Sequence, residues 1–336
     1  MTRTLIVDGN SLLKTGFHGI KNLYNGSDHI GGLFHFLNTI RKFIENNLIT
    51  KVIVFWDGKE NYTYRRKLYN NYKTNRKVSF KTPEEATSFY NQQIRVKEYL
   101  EELYVRHSSY DFCEADDCIG YYCSICDGED IIIMTADRDL LQLINSRISV
   151  YITSINTLFK DGDQVPLNGV FFTPQNIRVM KTICGDASDN IKGIKLVGVK
   201  SLLKIIPKIE NEKISLDEII TEIKQKDKLT KKEKNILNGV TTEGEKGVEM
   251  LKINYKIIGI GKEFLTSEAI EDIHNICGEP LDPEGRHWKN ALDLMMSDGI
   301  LNILPKKDDS WVDFVRPFLR LTRIEKDFYK NKKDEL

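Results

Sequence analysis

The sequence predicts an α/β fold built on a parallel sheet, because short apolar runs alternate with an amphipathic helical pattern. Residues 5–7, 52–56 and 131–134 are apolar runs of the length of buried strands. Between the first two runs, apolar residues recur on one helical face from Leu33 to Ile44. A strand, a helix and a second strand in this order form a βαβ unit, whose strands are parallel.

Later elements are predicted from their start and stop signals. Thr82, Pro83 and Glu85 have the order of an N-cap, a first helical residue and a capping-box glutamate. The other expected elements are a helix from near Glu114, a short helix after Asp139, a strand over 148–152 and a helix from Thr173 to Gly185. Beyond about residue 206 the pattern is charged and mostly helical.

Aspartates stand where the predicted strands end. Asp8 and Asp57 directly follow the first two runs, and Asp137 and Asp139 lie just after the third. Ligands of open α/β sheets bind beyond the carboxyl ends of the strands, so we expect these carboxylates to converge. Clustered carboxylates need a counter-charge to ionise together. A hard divalent cation, Mg²⁺ above all, supplies one, so the pattern predicts metal-assisted chemistry on phosphate.

Two further acidic motifs are candidates for the same site. Glu114, Asp116 and Asp117 open a predicted helix, and the first and last of them share a helix face. Acidic residues also stabilise a helix N-terminus, so a purely structural role stays open for this motif. Asp186 and Asp189 form the other motif, in the loop that follows the predicted helix end.

A glycine-bounded hairpin follows that loop. Gly193 and Gly198 bound it, and Lys200 lies in the next predicted helix. Glycines allow backbone amides to approach a phosphate closely, and a helix N-terminus adds positive potential. The series therefore indicates a contact with a phosphate backbone.

Residues 59–81 break the alternation and are strongly basic. One acid, Glu60, stands among eight basic residues with interleaved aromatic residues, an arrangement typical of nucleic-acid binding and also of a solvated basic surface. The basic residues are Lys59, Arg65, Arg66, Lys67, Lys73, Arg76, Lys77 and Lys81.

The composition limits the class of protein. The chain has 336 residues, and 49 basic residues balance 49 acidic ones. No apolar run reaches the roughly 18 residues of a membrane span. We expect no signal peptide, because strand-like sequence begins by Leu5, and therefore a cytoplasmic protein with its six cysteines reduced. The final Lys333-Asp334-Glu335-Leu336 matches an endoplasmic-reticulum retention signal and is interpreted as coincidence.

Three cysteines have a spacing with two interpretations. Cys118, Cys123 and Cys126 follow the C-x4-C-x2-C pattern of some iron–sulfur proteins. The same stretch fits a helix whose thiols pack on the sheet, which is the ordinary role of buried cysteines.

From Asp8 to about Ile206, these motifs together closely resemble the 5′-nuclease family. That family includes flap endonucleases, the 5′-exonuclease domain of bacterial DNA polymerase I, and phage exonucleases and RNase H enzymes. The resemblance implies a PIN-like nuclease core over 1–170, with a basic helical arch at about 59–105 through which a single strand threads. It also implies a helix–three-turn–helix and helical DNA-binding region over 171–260. A helical extension of unknown role, either additional core or a partner-binding tail, would occupy 261–336.

The resemblance implies a site for two or more Mg²⁺ ions, with Mn²⁺ as a substitute. One metal group would include Asp8, Asp57, Glu114 and Asp116. The second would include Asp117, Asp137, Asp139, Asp186 and Asp189. In relatives the hairpin also holds a monovalent cation, here K⁺, but Leu196 stands where the family has a second glycine and leaves that site open.

Roles for the basic residues follow from the same resemblance. Lys73 would contact the scissile phosphate with help from Arg76, and Tyr72 could stack on a terminal base. The candidate nucleic-acid-binding residues are Arg65, Arg66, Tyr72, Lys181, Lys192, Gly193, Gly198 and Lys200.

The implied activity is metal-dependent hydrolysis of DNA or RNA–DNA at 5′ ends, flaps or branches, in primer removal or repair. We expect a free-standing monomer that works beside a polymerase, a clamp or a single-strand-binding protein. Three alternatives are less well supported by the motifs. A toxin-like ribonuclease would lack the arch, a non-catalytic binder of branched nucleic acid would have lost carboxylates, and a glycosylase would not need them.

Overall fold

The computed structural model describes residues 2–76, 80–167, 169–244, 247–282, 284–306 and 310–335; Lys77 and Leu336 lie outside these ranges. A six-stranded sheet has the order β5-β4-β1-β6-β7-β8, and β2–β3 and β9–β10 form two small antiparallel pairs. The strands are β1 (Arg3–Asp8), β2 (Tyr24–Asn25), β3 (Asp28–His29), β4 (Lys51–Trp56), β5 (Arg106–Ser109), β6 (Asp130–Thr135), β7 (Ile148–Ile152), β8 (Thr157–Phe159), β9 (Val165–Leu167) and β10 (Val170–Phe172).

Helices surround the sheet and form most of the second half of the chain. The α-helices are α1 (Gly9–Gly19), α2 (Gly31–Asn47), α3 (Thr63–Leu68), α4 (Pro83–Glu102), α5 (Ala115–Ile125), α6 (Ile177–Cys184), α7 (Val199–Ile205), α8 (Leu216–Lys224), α9 (Lys231–Leu237), α10 (Val248–Ile258), α11 (Ser267–Gly278), α12 (Trp288–Ser297), α13 (Ile300–Ile303) and α14 (Ser310–Glu335). Short 3₁₀ helices include Arg138–Leu143 and Lys262–Phe264.

The sheet is parallel except for its last pair, β7 and β8, as the apolar runs predict. β1 lies between β4 and β6, so the chain winds away from β1 in both directions. The crevice at such a switch point is where open α/β sheets bind ligands. Asp8 pairs in register with Phe55 at this end of the sheet, so Asp57 lies two residues beyond the position that faces Asp8.

Side chains alternate between two cores on opposite faces of the sheet. Ile6 and Ile133 face the core that contains α5, α6 and α11, whereas Leu5 and Met134 face the core that contains α1, α2 and α4. This alternation follows from the two-residue period of a strand. Both faces are covered, which explains why the central strands are apolar throughout.

The C-terminal helices contribute to the second core. Phe314 and Phe318 of α14 are buried there, and Trp311 packs against the same cluster. Arg320 donates hydrogen bonds to the carbonyls of Ile44 and Ile49 at the end of α2. These residues of the predicted extension therefore add to the core.

Several local predictions are confirmed, and two need correction. Thr82 caps α4 and accepts from the amide of Glu85, but the Glu85 carboxylate accepts from Lys81 N, so the capping box is incomplete. Cys126 and Cys277 form a disulfide, which the expectation of six reduced thiols did not include. Across the described parts of the chain, no helix combines the length and apolar character that crossing a bilayer requires.

Candidate active site

Asp8, Asp57 and Asp137 meet at the carboxyl ends of β1, β4 and β6. Asp8 caps α1, accepting from Ser11 N at 3.0 Å, and its second oxygen accepts from Thr135 Oγ1 at 2.9 Å. Asp57 accepts from the amide of Ala115 at 3.0 Å, which ties the end of β4 to the start of α5. The strand ends and the α5 N-terminus therefore form one acidic wall.

Crowding of the carboxylates in this wall changes their proton affinity. Burial, followed by repulsion from Asp57, raises the pKa of Asp8 to about 7. Burial, followed by repulsion from Asp137 and Asp8, raises the pKa of Asp116 well above its usual range. Each of these carboxyl groups ionises less readily because its neighbours are negatively charged. A bound cation would offset this repulsion.

Asp139, Asp186 and Asp189 form the second part of the site. Each offers a carboxylate oxygen, and these oxygens lie within 4.8 Å of one another. Lys181 of α6 contacts the first two, at 2.6 Å from Asp186 Oδ2. Burial and then Asp137 raise the pKa of Asp139 to about 7 in spite of the nearby ammonium.

Asp186 and its loop are held by short-range hydrogen bonds. Its Oδ1 accepts from the amide and hydroxyl of Ser188, and its backbone pairs with Ile191 in an antiparallel bridge. Burial opposes ionisation of Asp186, but Lys181 and Ser188 outweigh burial and lower its pKa. The loop therefore presents an ionised carboxylate.

The segment 69–76, at the base of the predicted arch, packs directly on the 186–190 loop. Lys73 N donates to Asp189 O at 3.0 Å, and Asn75 Nδ2 donates to Ala187 O. Arg76 Nη2 lies 2.7 Å from Asp189 Oδ1, and Lys73 Nζ lies 4.0 Å from the other oxygen. Lys73 has a left-handed backbone with φ of 53°, a strained conformation typical of functional sites.

Glu114 joins the two halves of the site. Its Oε1 accepts from Lys73 Nζ, and its Oε2 accepts from Arg65 Nη1 at 2.7 Å and from Tyr72 OH at 3.1 Å. Burial opposes ionisation of Glu114, but Lys73 and Arg65 lower its pKa, so it is ionised. Its negative charge is therefore fully compensated inside the protein.

Three of the predicted site residues lie in the protein interior. Arg65, predicted to bind nucleic acid, is only 3% exposed and directs its guanidinium inward. Asp117, predicted to bind metal, is fully buried, and both its oxygens accept from Arg65. Tyr72, predicted to stack on a base, is buried with its hydroxyl on Glu114. All three form an internal network behind the acidic wall.

The remaining candidates for nucleic-acid binding lie outside this network. Arg66 is exposed and donates to the carbonyl of Tyr72. Lys192 pairs with Glu243 at 2.8 Å, and Lys200 is exposed in the first turn of α7, after Gly198.

Gly193 makes a close backbone contact that explains the glycine. A Cβ atom there would lie 2.2 Å from the carbonyl oxygen of Cys184. Leu196, in the position where the family has a second glycine, keeps the left-handed backbone with φ of 68°. The hairpin therefore retains a glycine-like turn without the glycine.

Sequence reasoning missed the residues that orient the carboxylates. Asn10 donates to Asp57 Oδ2 at 2.8 Å, and Gln93 of α4 donates to Asn10 Oδ1 at 2.8 Å. Asn10 could have been found, because it stands next to Asp8. Gln93 gives no local signal, since it reaches the site only through the packing of α4.

Comparisons with known proteins agree with this geometry. Residues 3–166 match the family described as the 5′-3′ exonuclease, N-terminal resolvase-like domain. The 5′-3′ exonuclease of Bacillus subtilis (strain 168) is 30% identical over 218 residues, which cover 62% of this chain and 71% of that protein. DNA polymerase I of the same organism is 30% identical over 226 residues, covering 65% of this chain but only 25% of the polymerase.

The fold also matches a solved structure. A structure described as divalent metal ions (zinc) bound to T5 5′-exonuclease superposes with a TM-score of 0.63 at 22% identity, covering 82% of this chain and 100% of that one. A parallel sheet with carboxylates crowded at its switch point, together with these relatives, defines a nuclease. The chain belongs to the 5′-3′ exonuclease family and is a 5′-nuclease.

Proposed function

We propose that this protein is a Mg²⁺-dependent 5′-nuclease that removes 5′ ends and 5′ flaps from DNA or RNA–DNA duplexes. The observation that carries the proposal is an acidic surface at the switch point of the sheet. Two clusters of carboxylates form this surface. The flap activity is supported by a solved structure of similar fold described as the T5 D15 flap endonuclease, with DNA and metal ions.

The donor set fits divalent metal ions. Oxygen atoms of Asp139, Asp186 and Asp189 lie within 4.8 Å of one another, and burial followed by repulsion from neighbouring carboxylates raises the pKa values of Asp8 and Asp116. Hard oxygen ligands favour Mg²⁺, with Mn²⁺ as a substitute. Bound metal would activate a water molecule and neutralise charge on the attacking and leaving oxygens.

We propose a revised partition of the ligands. Asp8, Asp57, Asp116 and Asp137 would hold one metal, and Asp139, Asp186 and Asp189 would hold the other, with Asp137 near both. Glu114, predicted as a ligand of the first group, would act through its hydrogen bonds to Lys73 and Arg65 and remain behind the metal. Asp117 would be structural.

Basic side chains of the protein contact the carboxylates that we propose as ligands of the second metal. Lys181 contacts Asp139 and Asp186, whereas Arg76 and Lys73 approach Asp189. On binding, we expect Lys73 and Arg76 to turn from Asp189 to the scissile phosphate and stabilise its developing charge.

The grip on the duplex is assigned to the hairpin and its flanks. Lys192, Gly193, Gly198 and Lys200 would contact the phosphate backbone, Arg66 would contact the single strand, and Lys181 would act near the active site. The left-handed turn at Leu196 is compatible with a K⁺ site at the hairpin. The division into regions 1–170, 171–260 and 261–336, the monomeric state and contacts with a polymerase, clamp or single-strand-binding protein remain parts of the proposal.

Cleavage of a 5′-labelled flap duplex with Mg²⁺ tests the proposal. We expect loss of the flap with Mg²⁺ and none with EDTA or with Asp137→Ala. Asp227→Ala, which removes an exposed carboxylate elsewhere, should cleave like the wild type. A fragment of flap length would identify flap cutting, and mononucleotides would identify stepwise exonuclease action.

The same assay separates the alternatives. Substrates with an RNA or a DNA 5′ segment report the preferred strand. Tight binding without cleavage under Mg²⁺ or Mn²⁺ would contradict the proposal and favour a non-catalytic binder of branched nucleic acid.

A further inference from the structure

The junction after α10, residues 257–261, contacts the two parts of the chain that form the active site. Its carbonyls at Ile257 and Gly259 accept hydrogen bonds from Arg65, at the base of the arch. Its amide at Gly261 donates to Asp117 of α5. This junction lies beyond the residues 3–166 that match the family domain, so it is a contribution of the C-terminal half of the chain.

Other elements of the site meet at the same junction. Gln142, in the 3₁₀ helix that follows the Asp137 strand end, donates to the carbonyl of Ile258 at 3.1 Å. Arg178 of α6 lies so close to Gly259 that a Cβ atom there would approach its Nη2 to 2.2 Å. The junction therefore packs between the base of the arch, the acidic wall and α6, the helix that carries Lys181.

Arg65 is the centre of these contacts, and all five of its N–H groups have partners. Nε donates to Ile257 O, Nη1 donates to Glu114 and Asp117, and Nη2 donates to Asp117 and Gly259 O. The ring of Phe264 lies 4.0 Å from the guanidinium carbon. Lysine has three donors on a flexible stem and cannot reproduce this planar set of contacts.

Hydrogen bonds and ion pairs connect Arg65, through Glu114, to Lys73, the residue that we propose contacts the scissile phosphate. Arg65 Nη1 lies 2.7 Å from Glu114 Oε2, and Glu114 Oε1 accepts from Lys73 Nζ. Lys73 is held on its other side by the backbone bond to Asp189. The position of the Lys73 ammonium group therefore depends on both Asp189 and the Arg65–Glu114 pair.

We propose that Arg65 is a positioning residue that uses the 257–261 junction to hold Glu114, and through it Lys73, in the geometry needed for phosphodiester cleavage. The inference rests on the proposed function, in which Lys73 contacts the scissile phosphate. It assigns a role in the chemistry to residues 257–261, which lie beyond about residue 206, where the sequence shows no recognisable motif.

Steady-state kinetics of Arg65→Lys on the 5′-flap duplex test this role. Small displacements of a positioned group cost up to about 100-fold in rate, so we expect kcat to fall roughly 30- to 100-fold with KM within about threefold of wild type. The matched control is Arg320→Lys, which also removes an arginine that joins two backbone carbonyls, at the end of α2. It should lower the melting temperature without lowering kcat.

A double-mutant cycle tests whether Arg65 acts through Glu114. If it does, adding Arg65→Lys to Glu114→Gln should reduce kcat little further. The first substitution has already removed the Arg65–Glu114 interaction that positions Lys73. Losses that multiply would overturn the proposal. An unchanged kcat in Arg65→Lys, or a raised KM at constant kcat, would overturn it as well.

Two further measurements keep the outcome interpretable. Gly259→Ala displaces the junction through Arg178 while leaving the Arg65 side chain itself unchanged, and it should lower kcat roughly 3- to 10-fold. Gly278→Ala, where a Cβ atom would meet no atom of the described residues within 4 Å, should not. Hydrogen exchange of residues 69–76 in substrate-free protein should be faster in Arg65→Lys than in wild type. If the wild type fails to cleave, the proposed function fails, and unchanged exchange would overturn the positioning role on its own.

Discussion

Lys181 and Asp186 form an ion pair with 2.6 Å between Nζ and Oδ2, and the same ammonium group also contacts Asp139. Burial alone would lower the pKa of Lys181, but the two carboxylates outweigh burial and raise it. Lys181 therefore provides the positive charge that these carboxylates otherwise lack. A metal ion bound to Asp139 and Asp186 would provide further positive charge.

Lys181→Met should destabilise the metal-free protein and respond strongly to Mg²⁺. Removing one partner of a largely buried pair leaves uncompensated charge, so we expect a loss of about 2–3 kcal/mol in the free energy of unfolding with EDTA. Mg²⁺ should restore much of it by neutralising Asp139 and Asp186. Urea denaturation with and without Mg²⁺ measures both quantities.

The control for this prediction is a second lysine pair far from the carboxylates. Lys226 lies 2.8 Å from Glu233 Oε1. Lys226→Met should also lose stability, but Mg²⁺ should restore none of the difference. Equal recovery of the two variants would show that Mg²⁺ acts elsewhere on the protein.

The stability of the metal-free protein should fall as the pH rises from about 4 to about 7. The pKa values of Asp8 and Asp139 are raised to about 7, so the folded protein retains protons that the unfolded chain releases near pH 4. Where the folded state binds more protons, stability decreases with increasing pH. The gain from Mg²⁺ should accordingly be larger at pH 8 than at pH 5, as measured by urea denaturation.

Asp8→Asn separates this electrostatic cost from function. The amide keeps an oxygen that can cap α1 but removes a charge, so the metal-free protein should gain about 1–2 kcal/mol at pH 8 and nothing at pH 4. Flap cleavage should fall by at least roughly 100-fold through loss of a metal ligand. Asp227→Asn should change neither quantity, and a loss of stability in Asp8→Asn at pH 8 would contradict the assigned repulsion.

The positions of the strand-end carboxylates could be predicted from the sequence, whereas the direction of the basic side chains could not. Asp8 and Asp57 follow apolar runs whose parallel pairing brings their ends together. In the sequence, nothing distinguishes Arg65 from the other basic residues of segment 59–81. Its partners Ile257 and Gly259 are 192 and 194 residues away, and no local pattern shows that the guanidinium faces them.

Lys73 illustrates the same limit at the level of the backbone. A motif can predict that a lysine serves the site, but its left-handed φ of 53° arises from the docking of residues 69–76 on the 186–190 loop. That conformation is unfavourable in isolation and requires tertiary contacts to maintain it. The backbone conformation of Lys73 can therefore be recognised only in the folded structure, where residues 69–76 contact the 186–190 loop.

Leu196→Gly should stabilise the protein by about 0.5–1 kcal/mol. Leu196 has φ of 68° and a side chain that is 53% exposed, so it carries the strain of a left-handed residue with limited burial in return. Glycine removes the strain but adds entropy to the unfolded chain, which reduces the gain. Leu48→Gly is a matched control, with φ of 53° and 68% exposure at the end of α2, and should gain a similar amount. Destabilisation by Leu196→Gly alone would show that the leucine side chain supports the hairpin.

Duplex binding should weaken steeply with salt, and Lys200→Ala should reduce that dependence. Each phosphate neutralised by the protein contributes about −0.9 to the slope of log affinity against log salt. Lys200 is exposed beside Gly198 at the start of α7, so its removal should lower the magnitude of the slope by about one. The measurement is fluorescence anisotropy of a flap duplex in Ca²⁺, from low to moderate salt. Lys42→Ala, an exposed lysine of α2, should leave the slope unchanged. A flat dependence in the wild type would contradict a grip on the phosphate backbone, and an unchanged slope in Lys200→Ala would remove this lysine from it.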